Sequence, residues 1–326
     1  MSDYIVFDLE WNQSVEPENS TPDFPFEIIE IGAVKLDGQF RIVGEFHRLV
    51  CPQVYTQMHY MISEVTHMNM RELRKQGEPF PEAVADFIRW CGKEPVFCTW
   101  GSMDLTELQR NMAFYRIENP LPKPLFYYDV QKLYGLFFSD GKKLSLDTAV
   151  EELKIPRERP FHRAADDAFY TARVLEELYR EVGSEAILPY RSIDYYRLPD
   201  NRDEEIFERF PGYSKYVSRI FPTKEDAMRD KGVTEMKCYE CGRSLRKRVC
   251  WFTPNQKVYY GLAICPEHGY LKGKIRLKKV DEIRVFAVRT LKLTDEEGAA
   301  KIMGRRENVR KKRAERSRAR RRRRDD

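Results

Sequence analysis

Two carboxylates stand directly behind an apolar run near the start of the chain. Residues 4–13 read YIVFDLEWNQ, so a single residue separates Asp8 from Glu10. Alternate side chains of an extended strand point to opposite faces, and these two acids therefore share one face. Like charges are costly to bury without a cation or a shared proton, and this segment contains no Lys or Arg. A divalent metal ion is one explanation, and a strand end that opens to solvent is the other.

Further acids and a histidine occur where a fold could bring them to the same place. Asp104 stands at the junction between a short apolar segment, EPVFCTW, and a helical pattern. His162 and Asp167, in HRAADDA, are predicted to lie within two turns of one helix and can flank one cleft. The adjacent Asp166 would point elsewhere, as a solvent-side or capping acid. The remaining four carboxylates suit two hard cations: Asp8, Glu10, Asp104 and Asp167.

The surrounding pattern predicts an α/β domain that holds these residues. The opening strand, EIIEIGAVKLD and FRIVGEFHRLV form a predicted antiparallel meander, with Asp37-Gly38 as a turn. Helices and short apolar strands then alternate as far as the Ala-rich helix in FHRAADDAFYTARVLEELYREV. This order indicates a mixed sheet flanked by helices in residues 1–184.

Four motifs in this domain resemble a known family, the DEDDh branch of the DnaQ-like 3′-to-5′ exonucleases. They are FDLE at 7–10, IIEIGAV at 28–34, TWGSMDL at 99–105 and HRAADDA at 162–168. Each motif alone is weak, whereas the ordered set is highly specific. TWGSMDL, and its spacing from the first motif, look most like the enhanced-RNAi and KapD-like exonucleases.

The resemblance implies a ribonuclease H-like sheet and an active site with two Mg²⁺ or Mn²⁺ ions. Many members have Glu-Thr after the first Asp-Xaa-Glu, where this chain has Trp11-Asn12-Gln13 after Glu10, so the pocket for the terminal nucleotide is expected to differ. Its implied site residues are the metal ligands Asp8, Glu10, Asp104 and Asp167, the general base His162, and the substrate-binding candidates Leu9, Trp11 and Asn12.

The expected chemistry is hydrolysis of a phosphodiester. Two divalent ions about 4 Å apart can activate a water, hold the scissile phosphate and stabilise the leaving oxygen. An imidazole titrates near neutral pH, so His162 can take the proton of the attacking water. The other histidines considered do not belong to a comparable group of acids. They are His47, His59 and His67, and we interpret them as structural or substrate-edge residues.

Four late residues have the spacing of a zinc ribbon, because CYEC at 238–241 and CPEH at 265–268 each place two ligands with two residues between them. We predict a structural Zn²⁺ held by Cys238, Cys241, Cys265 and His268, with free or redox-active cysteines as the alternative. Gly242 and Gly269 suit tight turns beneath the metal. Cys250 is either a substitute ligand or a buried strand residue.

The rest of the chain divides into three predicted segments: an irregular helical connector at 185–235, a small β-rich zinc module at 236–290 and a disordered basic tail at 291–326. Residues 305–326 contain thirteen Lys or Arg and four Asp or Glu. Such a tail favours polyanions and is too self-repelling to fold alone. In the module, basic residues interleave with aromatic ones, which suits nucleic acid or a solvated surface.

With 326 residues, of which 42% are hydrophobic, the chain is expected to form about two globular domains. No signal-peptide pattern and no apolar run long enough for a membrane span is present in the sequence, so we expect a cytoplasmic protein without membrane contact. The expected partners are single-stranded RNA or DNA, with contact to a ribosome or ribonucleoprotein through the tail.

We therefore predict a metal-dependent 3′-to-5′ exonuclease that releases nucleoside monophosphates from single-stranded ends and favours RNA. A DNA exonuclease of the proofreading or repair type is the first alternative, because contacts to the 2′-hydroxyl decide between the two polymers. A non-catalytic nucleic-acid-binding protein that kept the fold is the second. The complete set of four acids and His162 argues against it.

Overall fold

A computed structural model describes residues 3–255 and 257–325, with side chains described as far as residue 315. The chain forms two compact units that divide between Arg197 and Leu198. The predicted domain ends earlier, near residue 184, because the sequence gives no sign of a two-residue strand, Ser192–Ile193, that pairs with the edge of the first sheet.

The first unit contains a mixed six-stranded sheet. The first three strands form the predicted antiparallel meander, and the next two run parallel to the first. Their order is β3-β2-β1-β4-β5-β6, which puts β1 inside the sheet. The strands are β1 (Tyr4–Asn12), β2 (Glu27–Leu36), β3 (Ile42–Leu49), β4 (Val96–Thr99), β5 (Phe126–Asp129) and β6 (Ser192–Ile193).

Helices cover both faces of this sheet, and each face has its own apolar core. Phe7 and Leu9 of β1 pack into the core that contains α3 and α4, whereas Val6 packs into the core that contains α5 and α7. The helices are α1 (Tyr60–Thr66), α2 (Met70–Gln76), α3 (Phe80–Cys91), α4 (Met103–Phe114), α5 (Val130–Phe138), α6 (Leu146–Glu152), α7 (Ala164–Val182) and α8 (Ser184–Ile187). The predicted α/β fold with a mixed, helix-flanked sheet is confirmed.

The second unit contains an antiparallel six-stranded sheet in the order β7-β8-β12-β11-β10-β9. Its strands are β7 (Ile206–Phe210), β8 (Tyr213–Phe221), β9 (Lys247–Phe252), β10 (Val258–Cys265), β11 (Gly269–Lys279) and β12 (Val285–Thr294). Its helices are α9 (Lys224–Arg229), α10 (Lys231–Thr234) and α11 (Glu296–Asp325).

The prediction of a connector at 185–235 is wrong for much of that segment. Strands β7 and β8 belong to the second sheet, where β8 pairs with β12, more than sixty residues later in the chain. Their residues are aromatic and charged, and their burial comes from this distant pairing, so the local pattern gives little strand signal.

The predicted disorder of the basic tail is also wrong for the described backbone, which is helical as far as Asp325. Ala299 and Ile302 anchor the start of α11 in an apolar cluster with Leu262 of β10. Ion pairs between Glu297 and Lys301, and between Glu307 and Lys311, support it at i,i+4 spacing. The side chains of residues 316–326, which carry much of the predicted charge, lie outside the described part.

Within the described residues, no helix has the length and apolar character that a membrane crossing would need.

Candidate functional site

Strand β1 presents Asp8 and Glu10 on the face covered by α7. Phe7 and Leu9 point to the opposite face, which explains the apolar run that precedes the acids. In the register with β2, Asp8 lies opposite Gly32 and Glu10 lies opposite Glu30. Period-two alternation therefore puts two carboxylates beside each other at the centre of the sheet.

A close approach at Gly32 brings the third carboxylate to this pair. A Cβ atom at Gly32 would lie 2.0 Å from the backbone nitrogen of Ala165, so only glycine lets the first turn of α7 lie against β2. Asp167 belongs to that turn. Carboxylate oxygens of Asp8, Glu10 and Asp167 all lie within 4.8 Å of one another.

Asp104 lies beside this group and not among the three closest oxygens. It is the second residue of α4, is 4% exposed, and accepts a hydrogen bond from the backbone N–H of Leu9 at 3.3 Å. The bond ties the start of α4 to β1, one residue from each acid of the pair. All four predicted carboxylates therefore approach the same segment of β1.

The four carboxylates resist ionisation together. Burial, followed by the charges of Asp104 and Glu10, raises the pKa of Asp8 well above its usual range. Burial, followed by the charge of Asp167, raises the pKa of Glu10 to about 8. Burial raises the pKa of both Asp104 and Asp167 to about 7. Oxygen donors this close, with this excess of negative charge, fit hard divalent cations such as Mg²⁺ or Mn²⁺.

An ion-pair cluster of Glu30, Arg163 and His47 lies next to this site, and the sequence predicts a role only for His47, as a structural or substrate-edge residue. Glu30 is fully buried and accepts hydrogen bonds from Arg163 (2.7 Å), from Nε2 of His47 (2.6 Å) and from the backbone of Ala164 (3.0 Å). Burial alone would raise the pKa of Glu30, but the bonds from His47 and Arg163 hold it below its usual value. The cluster fixes the start of α7 on β2. In the sequence, the single acid of IIEIGAV is the one residue that indicates this cluster.

His162 lies before α7, not within it as predicted, since Arg163 is the N-cap residue of that helix. Its backbone is left-handed, with φ +66°. Its N–H donates to the two carboxylate oxygens of Asp167 at 3.2 and 3.3 Å, so the same residue orients Asp167. The imidazole is exposed. Asp166 turns away and approaches Arg159 at 3.8 Å.

The substrate-binding prediction is wrong for two of its three residues. Leu9 is 3% exposed and packs in the core. Asn12 is fully buried and donates to the backbone carbonyls of Tyr55 and Gln57, and its side-chain oxygen accepts from the N–H of His59. Both are structural because β1 continues inside the sheet to residue 12.

Trp11 is half-buried against Phe26, with ring centres 5.5 Å apart. His47 binds Glu30, and His59 stacks on Tyr60 with ring centres 4.9 Å apart. His67 is exposed at the end of α1.

The acidic cluster predicts how stability depends on pH. The folded-state pKa values of about 7 to 8 exceed the ordinary pKa values of 3.8 for Asp and 4.5 for Glu. In the metal-free protein, the contribution of these groups to stability should be complete near pH 4 and be lost as pH rises through 7 to 8, by up to about 1.4 kcal/mol per pH unit for each such group. Thermal unfolding from pH 5 to 8.5 measures this.

Two controls make that measurement specific. Added Mg²⁺ should raise the melting temperature more at pH 8 than at pH 5, because it binds the ionised acids. A variant with Asp8→Asn and Asp167→Asn should show a smaller fall with pH. A fall of equal size in this variant would mean that other groups cause it.

The second unit brings the four predicted zinc ligands together. The distances are 3.7 Å between the sulfurs of Cys241 and Cys265, 3.7 Å from Cys238 Sγ to His268 Nδ1, and 3.6 Å from Cys265 Sγ to the same nitrogen. A tetrahedral Zn²⁺ with bonds of about 2.3 Å to sulfur and 2.0–2.1 Å to nitrogen sets ligand separations of about 3.8 and 3.6 Å. The donor set and its spacing therefore fit Zn²⁺.

Two tight turns hold these ligands. Gly242 and Gly269 follow the two ligand pairs and have φ +74° and +77°, as the predicted turns require. The second pair occupies the hairpin between β10 and β11. Cys250 is exposed on β9 and lies outside the cluster. Both predictions for this residue, a substitute zinc ligand and a buried strand residue, are therefore wrong.

Comparison with known proteins identifies a family for the first unit. The profile of the exonuclease family RNase_T matches residues 5–175, a little over half of the chain. That span contains the four acidic residues and His162. No curated protein matches the chain.

Three solved structures illustrate similarity over part of the chain. The nuclease domain of 3′hExo, a DEDDh family member bound to rAMP, is 22% identical with a TM-score of 0.48, and the match covers 60% of this chain and 96% of that one. S. pombe Pop2p, in its Mg²⁺- and Mn²⁺-bound form, is 17% identical with a TM-score of 0.42, covering 55% and 83%. E. coli Exonuclease I in complex with a dT13 oligonucleotide is 12% identical with a TM-score of 0.48, covering 80% and 55%.

The profile match and the carboxylates gathered on β1 lead to one conclusion: the chain belongs to the RNase_T family of exonucleases.

Proposed function

We propose that this protein is a metal-dependent 3′-to-5′ exonuclease that releases nucleoside monophosphates from single-stranded ends, with RNA preferred to DNA. The observation that carries the proposal is the group of carboxylate oxygens of Asp8, Glu10 and Asp167 within 4.8 Å of one another, with Asp104 alongside. This group lies in the segment that matches an exonuclease family.

The acids of β1, α4 and α7 would hold two divalent cations between the sheet and the substrate. When bound, such ions supply an activated water and stabilise the leaving oxygen of an in-line displacement. The chain keeps its donors in place through three contacts: the bond from Leu9 to Asp104, the bonds from His162 to Asp167, and the close packing of α7 at Gly32.

His162 is the proposed general base. The backbone N–H of His162 binds Asp167, and the ring of His162 is exposed. The ring can therefore take a proton from a water molecule at the edge of the acidic cluster. Arg163, the next residue, forms an ion pair with Glu30 and so fixes the start of α7.

Aromatic and apolar side chains near the end of β1 support a single-stranded substrate. Asn12 ties the backbone of His59 to β1, two residues from Glu10. Next to His59, Tyr60 is 68% exposed and Met61 is 52% exposed. Unpaired bases can stack on such a surface, whereas the bases of a duplex are already stacked. The RNA preference and the polarity rest on the resemblance of the four ordered motifs.

Matched RNA and DNA strands of one sequence test the preference. With Mg²⁺ or Mn²⁺ and equal strand concentrations, we expect a higher initial rate of monophosphate release on RNA. A higher rate on DNA would reject the RNA preference and support a DNA exonuclease on the same active site.

Replacing His162 should slow the chemical step. We choose His162→Asn because asparagine accepts the left-handed backbone of this position but cannot take a proton near neutral pH. Turnover at saturating substrate should fall roughly 10²- to 10⁴-fold.

His67→Asn is the matched control, because His67 is exposed and left-handed too, with φ +56°. It should leave turnover unchanged. An equal loss in both variants, or near-normal turnover in His162→Asn, would contradict the assignment of His162.

For the second unit, we propose a structural Zn²⁺ bound by Cys238, Cys241, Cys265 and His268. It would tie the turn that ends at Gly242 to the hairpin between β10 and β11. Three reduced thiolates suit a reducing compartment, and we place the protein in the cytoplasm on that ground.

A further inference from the structure

A cationic groove runs between α11 and the sheet of the second unit. It has a volume of about 580 Å³. We name it the α11 groove, and its lining residues are Thr253, Pro254, Tyr260, Arg305, Asn308, Val309, Lys312 and Arg313. The described lining contains three cations and no acid.

The helix supplies one continuous wall of this groove. Residues 305, 308, 309, 312 and 313 recur at i, i+3, i+4, i+7 and i+8, so they share one helical face. Val309 packs toward the apolar cluster that contains Ile302, which keeps this face turned to the sheet. Arg313 reaches the backbone carbonyl of Thr253 on the other wall at 3.5 Å.

The sheet supplies an aromatic platform with further positive charge beside it. Tyr260 of β10 lies directly opposite Lys274 of β11, and Val258 lies opposite Arg276. Cross-strand partners share a face, so both cations stand on the same side of the sheet as Tyr260. The guanidinium of Arg305 lies over the Tyr260 ring, 5.3 Å from its centre, so a base that stacks on this ring takes the place of the guanidinium.

Among the described residues, no acid neutralises these cations. No carboxylate of the described residues lies within ion-pair distance of Arg305, Lys312 or Lys274. Burial, followed by the charges of Arg276 and Arg305, lowers the pKa of Lys274. By contrast, Lys301 and Lys311 of the same helix pair with Glu297 and Glu307. The positive charge of the groove is therefore available to an anionic ligand.

We propose that the α11 groove binds the sugar–phosphate backbone of a single-stranded nucleic acid, with Tyr260 as a stacking platform. Cations spaced along a groove, rather than gathered at one point, match the successive phosphates of a strand. An aromatic ring beside them matches an unpaired base and has no counterpart in a site for a simple anion. The proposal rests on the proposed function in taking this strand to be the one that the exonuclease unit degrades.

Binding by full-length protein that carries Asp8→Asn tests the proposal without loss of the strand to hydrolysis. The groove variant adds Arg305→Gln and Lys312→Gln. The control variant instead adds Arg306→Gln and Arg310→Gln, which remove the same charge from positions of α11 outside the groove lining. Fluorescence anisotropy with a labelled single strand of about 16 nucleotides is measured over a range of salt concentrations.

We expect the groove variant to bind at least about fivefold more weakly at low salt. Its logarithmic salt slope should be shallower by about 1.4, which corresponds to two phosphate contacts at about 0.7 each. The control should change affinity less than twofold. Tyr260→Phe should bind normally, whereas Tyr260→Leu should weaken binding, because only the ring provides stacking.

Equal affinities and salt slopes in the groove and control variants would overturn the proposal. Failure of the proposed function looks different, because it would appear as no hydrolysis by the unsubstituted chain in a separate assay. Binding that depends on the groove in a chain without hydrolysis would leave the groove assignment intact.

Discussion

Asp167→Asn is expected to abolish nuclease turnover, with a loss of at least about 10³-fold. The substitution keeps the shape of the side chain and its capacity to accept from the N–H of His162, but it removes the charge that a divalent cation needs. Asp8→Asn, Glu10→Gln and Asp104→Asn should have the same effect. Initial rates on an end-labelled single strand with Mg²⁺ measure it.

Asp166→Asn is the matched control, since Asp166 is the adjacent acid on α7 but turns toward Arg159. It should keep turnover within a few-fold of the unsubstituted chain. The Asp167→Asn protein should remain folded, and without metal it should melt at a higher temperature, because one of the mutually repelling acids is gone. Near-normal turnover in any of the four ligand variants would remove that residue from the metal site.

The second large effect concerns zinc. The purified protein should hold about one zinc per chain through dialysis that removes Mg²⁺. A variant with Cys238→Ser and Cys241→Ser should lose this zinc and become sensitive to protease between residues 236 and 269. Metal binding at such sites contributes about 10–16 kcal/mol in zinc-finger peptides, comparable with the stability of a whole domain. Elemental analysis and limited proteolysis measure the two effects.

Cys250→Ser is the control for thiol loss, because Cys250 is exposed and outside the cluster. It should retain both zinc and protease resistance. The first unit should remain folded in the double variant, since it has its own sheet and its own apolar cores. Unchanged zinc content in the double variant would contradict the ligand set.

The sequence predicts those parts of the site that depend on local geometry. Alternation along β1 places Asp8 and Glu10 on one face, and a strand-to-helix junction places Asp104 beside them. Gly242 and Gly269 mark turns because glycine adopts the left-handed conformation without strain. In each case the physical cause lies within a few residues.

Local sequence patterns could not predict contacts between residues that are distant in the chain. Glu30 and Arg163 are 133 positions apart, and nothing near Glu30 shows that a guanidinium will neutralise it. Asn12 looks like a polar residue beside an active site, but its partners lie more than forty positions away and bury it. Strand β8 was missed for the same reason, since its neighbour β12 is remote in the chain.

The helical tail shows a different limit. Its composition predicts self-repulsion and disorder. The structure adds anchoring by Ala299 and Ile302, and pairing of acids with bases four residues later, neither of which the net charge reveals.

The most direct test of the central claim follows both ends of one single-stranded RNA. The strand carries distinct labels at its 5′ and 3′ ends and is incubated with the protein and Mg²⁺ or Mn²⁺. We predict immediate release of the 3′ label as a nucleoside monophosphate, while the 5′ label passes through a ladder that shortens one nucleotide at a time. Early release of the 5′ label, internal fragments as the first products, or equal hydrolysis by the Asp167→Asn protein would contradict the account.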